Sequence, residues 1–194
     1  MSIDLSLPRC PWCLNSYDDY IRYHDQEWGV PVHDDIIHFE FLILEGAQAG
    51  LSWSTILKRR KGFRKAFAGY DPEKVAQYDD DKIVELLNDP GIIRNRQKVH
   101  SAVSNARQFL KIQEEYGSFD RYIWQFVNGK TVVNAWNTLD QIPATSPVSD
   151  KLSKDLISRG FRFTGSTIMY AHLQATGLVN DHLTSCFRYK ELVV

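Results

Sequence analysis

No apolar run in this 194-residue sequence is long enough to span a bilayer. The opening MSIDLSLPRC also lacks the basic region and apolar stretch of a signal peptide. These absences predict a cytoplasmic protein with no membrane partner, whose three cysteines stay reduced. Alternation of apolar and polar residues is nearly missing too, VNGKTVVNAW being the only weak strand candidate. With no internal repeat, low-complexity linker or domain boundary, the expectation is one compact all-α unit over residues 1–194. Charge imbalance is likewise absent: 23 basic against 24 acidic residues give a formal net charge of −1. A polyanionic partner would therefore have to be met by local clusters. Two exist, KRRKGFRK at Lys58–Lys65 and RNRQK at Arg94–Lys98, although a basic helix face is more often simply solvated.

One local absence is the most informative. From Phe41 through Trp53 there is no Lys or Arg, yet Glu45 sits in the middle of the apolar stretch FEFLILEGAQAGLSW. A carboxylate there is costly unless something neutralises it or binds beside it. As one helix over Phe39–Trp53, the stretch puts Gln48 and Trp53 on the Glu45 side, with Gly46 and Gly50 leaving room next to them. An acid, an amide and an indole then face one small hole. The plain alternative is a partly exposed helix acid or one satisfied by an Arg from elsewhere in the chain.

The first thirty residues are unusually aromatic for a terminus, with Trp12, Tyr17, Tyr20, Tyr23 and Trp28 among Cys10, Cys13 and His24. Aromatics this dense demand burial, so this arm is expected to lie against the body. Ser54–Ala68 has helical spacing, and Asp71 and then Asp79 or Asp80 cap two short helices. Asn95–Tyr116 is a long amphipathic helix, Phe119–Val127 another helix, and Thr131–Ser146 irregular. Ser149–Arg159 and Ser166–Thr176 complete the helical set.

His182 and Cys186, four apart, face one way on a helix, and Cys10, Cys13 and His24 offer further soft ligands. Spacing alone leaves two readings open, one using the Cys10 and Cys13 pair and one using Cys10, His24, His182 and Cys186. Either would tie the N-terminus to the C-terminus and close a very long loop. In LLNDPGIIRNRQKVHSAV, Pro90 and Gly91 turn the chain between two helices. Gly91 permits close approach of a ligand, and the next helix brings free N–H groups together with Arg94, Arg96 and Lys98. A hairpin of this kind grips a DNA phosphate without reading sequence. A plain helix corner is the alternative.

Taken together, RCPW, YHDQEWGVP, LEGAQAGLSW, GIIRNRQK, RGFRFTG and GLVNDH with the later Cys186 closely resemble the 3-methyladenine DNA glycosylase I family of bacterial base-excision repair, over nearly the whole chain. The resemblance implies an all-α fold of the helix-hairpin-helix glycosylase superfamily, with the hairpin near 81–116. It implies a structural zinc joining the termini through Cys10, His24, His182 and Cys186; Cys13 departs from the family pattern. Glu45 becomes the catalytic, base-contacting acid, with Tyr23, Trp53, Trp12 and Gln48 binding the base and Gly91, Arg94, Arg96 and Lys98 binding DNA. Ile93 stands where the common hairpin motif has glycine. The expected activity is monofunctional: 3-methyladenine is flipped from double-stranded alkylated DNA, excised by hydrolysis and released as the free base. N3-methylation makes the base cationic, which suits a buried carboxylate walled by aromatic rings. A monomer is expected. The alternative is a non-catalytic helix-hairpin-helix DNA-binding module that keeps the zinc.

Overall fold

The computed structural model describes residues 3–4, 6–14 and 17–193. Its axle is α2, Asp35–Gln48, buried without interruption from His38 to Ala47. Asp34 starts it by accepting N–H bonds from Ile36 at 2.7 Å and Ile37 at 3.2 Å. The helix stops sooner than the sequence pattern implies, because Gly50 adopts φ +77° and Ser52 then caps a separate helix α3, Trp53–Leu57, by accepting from the Thr55 N–H at 3.2 Å. The helix expected over Phe39–Trp53 is thus two, and Trp53 reaches the centre from the first turn of α3. Ser54–Ala68 is broken as well: α4, Arg60–Ala66, starts afresh after Lys58 and Arg59.

Before the axle comes α1, Asp18–Gln26. After it, α5, Pro72–Ala76, and α6, Asp80–Asn88, are capped by Asp71 and Asp79, and the 21-residue α7, Arg96–Tyr116, is capped by Asn95. The apolar stripe of α7, including Val99, Ala102, Val103, Ala106, Phe109 and Ile112, is buried against α2 and α5. The N-terminus of α8, Phe119–Trp124, is satisfied from outside: the Asp35 carboxylate accepts the Phe119 and Asp120 N–H groups, each at 2.8 Å. Helices α9, Pro147–Ser158, and α10, Ser166–Ala175, pack as a pair with α10 lying on α2, and α11, Phe187–Glu191, ends the chain.

The weak strand candidate is real but minimal. Val132–Val133 forms β1 and pairs in parallel with β2, Val179–Asn180. Two residues are too few to show alternation, which is why β2 left no trace in the sequence. Among the described residues no helix is long and apolar enough to cross a membrane.

Among the described residues, apolar burial forms two clusters. The larger surrounds α2, α7, α8 and α10; the smaller joins Cys10, Tyr23, Trp28, Phe41, Ala175, Leu183 and Cys186 from both ends of the chain. Trp53 and Ile142 touch both clusters, and the cavity described next opens where they meet.

Candidate active site

Alpha-helical spacing puts Tyr20 and Tyr23 on one face of α1, and the PWC turn brings Trp12 onto that face from the other side. Trp12 meets Tyr20 edge-on at 5.4 Å between ring centroids and Trp28 at 5.1 Å. Tyr23 lies 5.5 Å from Trp53, which stacks on Phe41 at 6.3 Å with 19° between ring planes. Trp12, Tyr20, Tyr23, Trp28 and Trp53 wall a cavity of about 250 Å³ whose remaining lining includes Glu45, Gln48, Ile142, Ala171 and Gln174. All five residues expected to form the base pocket, Trp12, Tyr23, Glu45, Gln48 and Trp53, line this one space.

Glu45 is 3% exposed. Its Oε2 lies 2.8 Å from His172 Nδ1, while Oε1 is buried with no partner among the described residues. Trp53 Nε1, on the same cavity, is also buried without an acceptor among the described residues. The acid is therefore not wholly unpartnered as the sequence suggested: α10 supplies an imidazole, 127 residues away in the chain. Burial pushes the Glu45 carboxyl well above its usual range and holds His172 down at about 3, so the pair is neutral overall despite its ion-pair geometry. Tyr23 is held well above its ordinary value by burial and by the nearby Glu45. Gln174 also escaped sequence reasoning. Its amide donates to Asp181 at 2.8 Å, and because a carboxylate only accepts, the Gln174 amide orientation is fixed.

The second constellation joins the termini. Cys10, His24, His182 and Cys186 are all buried, and their ligand atoms lie within 4.8 Å of one another. Cys186 Sγ is 3.5 Å from both His24 Nε2 and His182 Nδ1, and Cys10 Sγ is 3.7 Å from His182 Nδ1. The opposite ring nitrogens are tied down: His24 Nδ1 donates to Asp25 at 2.8 Å and His182 Nε2 to the Trp28 carbonyl at 2.9 Å. Both imidazoles thus turn a lone pair toward the thiols, the arrangement of metal-ligating histidines. Asp25 is itself gripped by Arg9. Glycine suits position 29, whose φ of +80° strains any side chain and where a Cβ would sit 3.0 Å from His182 Nε2. Cys13 is outside the group and donates to the Cys10 carbonyl. His182 and Cys186 converge through a turn, with the Cys186 N–H on the Leu183 carbonyl, rather than through the expected helix.

At the hairpin, α6 and α7 are joined by residues 89–95. Arg94 and Arg96 are exposed and, among the described residues, make no ion pair or side-chain hydrogen bond. Two of the residues expected to bind DNA have partners within the protein. The Gly91 N–H already donates to Asp89 Oδ1 at 2.7 Å, and this glycine packs against α4: a Cβ on Gly62 would lie 2.3 Å from the Gly91 carbonyl oxygen. Lys98 turns inward, its ammonium donating to the carbonyls of Ala47 at 2.8 Å and Ala49 at 2.6 Å at the end of α2. It caps the Glu45 helix. Within the other basic cluster, Arg60 and Arg64 clamp the buried Glu40 at 2.6 and 3.0 Å, so only part of KRRKGFRK is free charge.

The Methyladenine glycosylase family pattern matches residues 12–189. DNA-3-methyladenine glycosylase 1 of Escherichia coli is 46% identical over 183 residues, covering 94% of this chain and 97% of that protein. DNA-3-methyladenine glycosylase of Haemophilus influenzae is 44% identical over 178 residues, covering 92% and 96%. Among solved structures, 3-methyladenine DNA glycosylase I of Staphylococcus aureus, described in terms of 3-methyladenine recognition, superposes with TM-score 0.89 at 37% identity over 92% of this chain and 95% of that one. With the fold, the aromatic cavity and this likeness in agreement, the chain belongs to the 3-methyladenine DNA glycosylase I family.

Proposed function

We infer that this protein removes 3-methyladenine from alkylated DNA by hydrolysing its N-glycosidic bond, the first step of base-excision repair. One observation carries the reading. An orphaned carboxylate oxygen, Glu45 Oε1, and an orphaned indole N–H, Trp53 Nε1, are buried on the same aromatic-walled cavity. Such atoms are costly to leave unpaired and mark where a polar, flat ligand completes the bonding.

The chemistry follows from the lesion. Methylation at N3 places a positive charge on adenine, so the base is already a good leaving group. Water adds to C1′, the glycosidic bond pair goes to the base, and neutral 3-methyladenine departs while the water proton goes to solvent. Glu45 holds the cation through charge, and Trp12, Tyr23 and Trp53 hold it through their ring faces. Gln48 reads an edge. No general acid is required at the base.

Arg94, Arg96 and the start of α7 are the DNA grip in this reading, a helix-hairpin-helix contact with the backbone of duplex DNA. Leu51 is read as the wedge that fills the vacated stack: it is 41% exposed at the tip of the Gly50 turn and lines a second cleft shared with Glu45 and Gln48.

The four-residue cluster is read as a structural zinc site. Tetrahedral zinc separates sulfur and nitrogen ligands by about 3.6 Å, and three of the sulfur–nitrogen separations here are 3.5 to 3.7 Å, within a group that spans 4.8 Å. Cys186 also suits the role, its thiol pushed down by hydrogen bonds from Cys10 first and then from the two histidines. Four protein ligands leave no position for a reactive water, so the metal's part is to hold the termini beneath the aromatic arm. The chain acts as one cytoplasmic, monomeric unit.

The test is release of free base from alkylated duplex DNA, with products identified. Liberation of 3-methyladenine with an intact sugar-phosphate strand is expected; binding to damaged DNA without release would favour a non-catalytic module.

A further inference from the structure

Behind Glu45 runs a chain of groups that the mechanism above does not use. His172 Nδ1 faces Glu45 Oε2 at 2.8 Å, His172 Nε2 faces His38 Nδ1 at 3.4 Å, and His38 Nε2 faces the Val32 carbonyl at 3.2 Å. All three side chains are buried. Donor counting fixes the protons. A carbonyl only accepts, so His38 Nε2 carries hydrogen; a neutral His38 then presents a lone pair at Nδ1, which must be met by the Nε2–H of His172. His172 Nδ1 and Glu45 Oε2 are left with room for one proton between them. While the cavity is empty the acid keeps it, because every member of the chain is too buried to favour charge.

We propose that His172 is a positioning residue for the base-contacting acid: it anchors Oε2, leaves Oε1 aimed into the cavity, and takes the acid's proton when a cationic base arrives. The step is one transfer over 2.8 Å. The Oε2–H bond breaks, the Nδ1–H bond forms, and no other reactant is involved. Glu45 becomes a carboxylate beside the cation, and the new imidazolium strengthens its hydrogen bond to His38. When the glycosidic bond cleaves, the base becomes neutral, the carboxylate loses its counter-charge, and the proton returns. The acid thus pairs with the lesion in DNA and loosens its hold on the product.

Surrounding charges are consistent with this. Tyr23 faces the acid from α1, with Glu27 and Arg60 beyond it. Asp120 lies 4.0 Å from His38 Nε2, and Asp35 is close enough to act on the same ring, so negative charge stands behind the chain where the imidazolium needs it. On the other elements packed against α10, Asp150 is held by Ser166, Asp155 by Tyr122 and Arg159, and Asp181 by Tyr170 and Gln174.

The proposal rests on Glu45 meeting the base, and its test separates the two. In the wild-type protein, nitrogen-15 spectra of His172 are followed while a permanently cationic probe, 3,9-dimethyladeninium, or uncharged 3-methyladenine is added at mildly alkaline pH. The cation is expected to convert the ring to the doubly protonated form, and the uncharged base to leave it neutral. A ring that stays neutral with the bound cation overturns the proposal. In parallel, His172→Gln keeps a hydrogen-bonding group but cannot take a proton. Its kcat/KM on alkylated duplex DNA should fall about ten-fold or more at neutral pH and climb with pH where the wild type is flat. A wild-type rate and pH profile in His172→Gln overturns the proton transfer. A wild type that releases no 3-methyladenine defeats the glycosylase reading instead.

Discussion

Glu45 was legible in the sequence because an acid with no neighbouring base, inside an apolar run, violates an otherwise consistent pattern. Its hydrogen-bonding partner was not legible. His172 arrives from another helix, and a lone histidine in STIMYAHLQA carries no local sign of what it will face. Replacing Glu45 by Gln preserves shape and removes charge, so excision should fall by about 10²-fold or more, with the melting temperature unchanged or raised because a buried acid is gone. Full activity in that variant, measured as base release, would remove Glu45 from the chemistry. The histidines behind it make a separate prediction about pH. Burial holds both His38 and His172 at about 3, below their ordinary 6.5. As pH falls, the unfolded chain binds protons that the folded protein refuses. Their contribution is therefore fully present above 6.5 and drains away toward 3. Glu45 acts with the opposite sign: its pKa is raised above the ordinary 4.5, so its contribution is present below that value and lost as pH rises through the raised one. Denaturant unfolding across this range should show His172→Phe losing about one proton's worth of the acid slope; an unchanged slope would mean that His172 is charged in the fold.

At the scale of elements, caps were the easiest features to read. Asp71 and Asp79 accept the N–H bonds their positions promised, because capping is decided within four residues; Asn95, expected inside α7, caps it instead. Element ends set by tertiary packing were harder. The Gly50 turn divides one apolar periodicity into two helices, and Gly62 looks like a helix-weakening residue until the Gly91 carbonyl is seen lying against it. Gly62→Ala must push the hairpin away from α4, at about 1–3 kcal/mol, and should weaken DNA binding with no charge altered. Charge clusters divide the same way. Arg94→Ala and Arg96→Ala should each lower the salt-dependence slope of DNA binding by about one unit and leave stability alone. Arg60→Ala should do the reverse, leaving the slope unchanged while stripping a partner from buried Glu40, toward the lower end of about 3–5 kcal/mol since Arg64 remains. A steep slope change in Arg60→Ala would place α4 on the DNA.

For the molecule as a whole, the pocket exists only because the two ends of the chain are fastened together. Trp12, Tyr20, Tyr23 and Trp28 come from the first thirty residues, and their packing partners Ala175, Leu183 and Cys186 from the last twenty. Cys10 and His24 meet His182 and Cys186 directly beneath them. A clip between His24 and His182 closes a loop of 158 residues, for which loop-closure entropy corresponds to about 4–5 kcal/mol. In a chain of this length that is a melting shift of about 10–15 °C. Treatment with a strong chelator should lower the melting temperature by that order and release one zinc per chain. Because the aromatic arm is held from below, excision should decline together with tryptophan fluorescence, before global unfolding, while DNA affinity through Arg94 and Arg96 persists. Restoring zinc should return all three signals. A chelated protein that releases its zinc and still melts and excises like the untreated one would show that apolar packing in the smaller cluster is enough to join the ends.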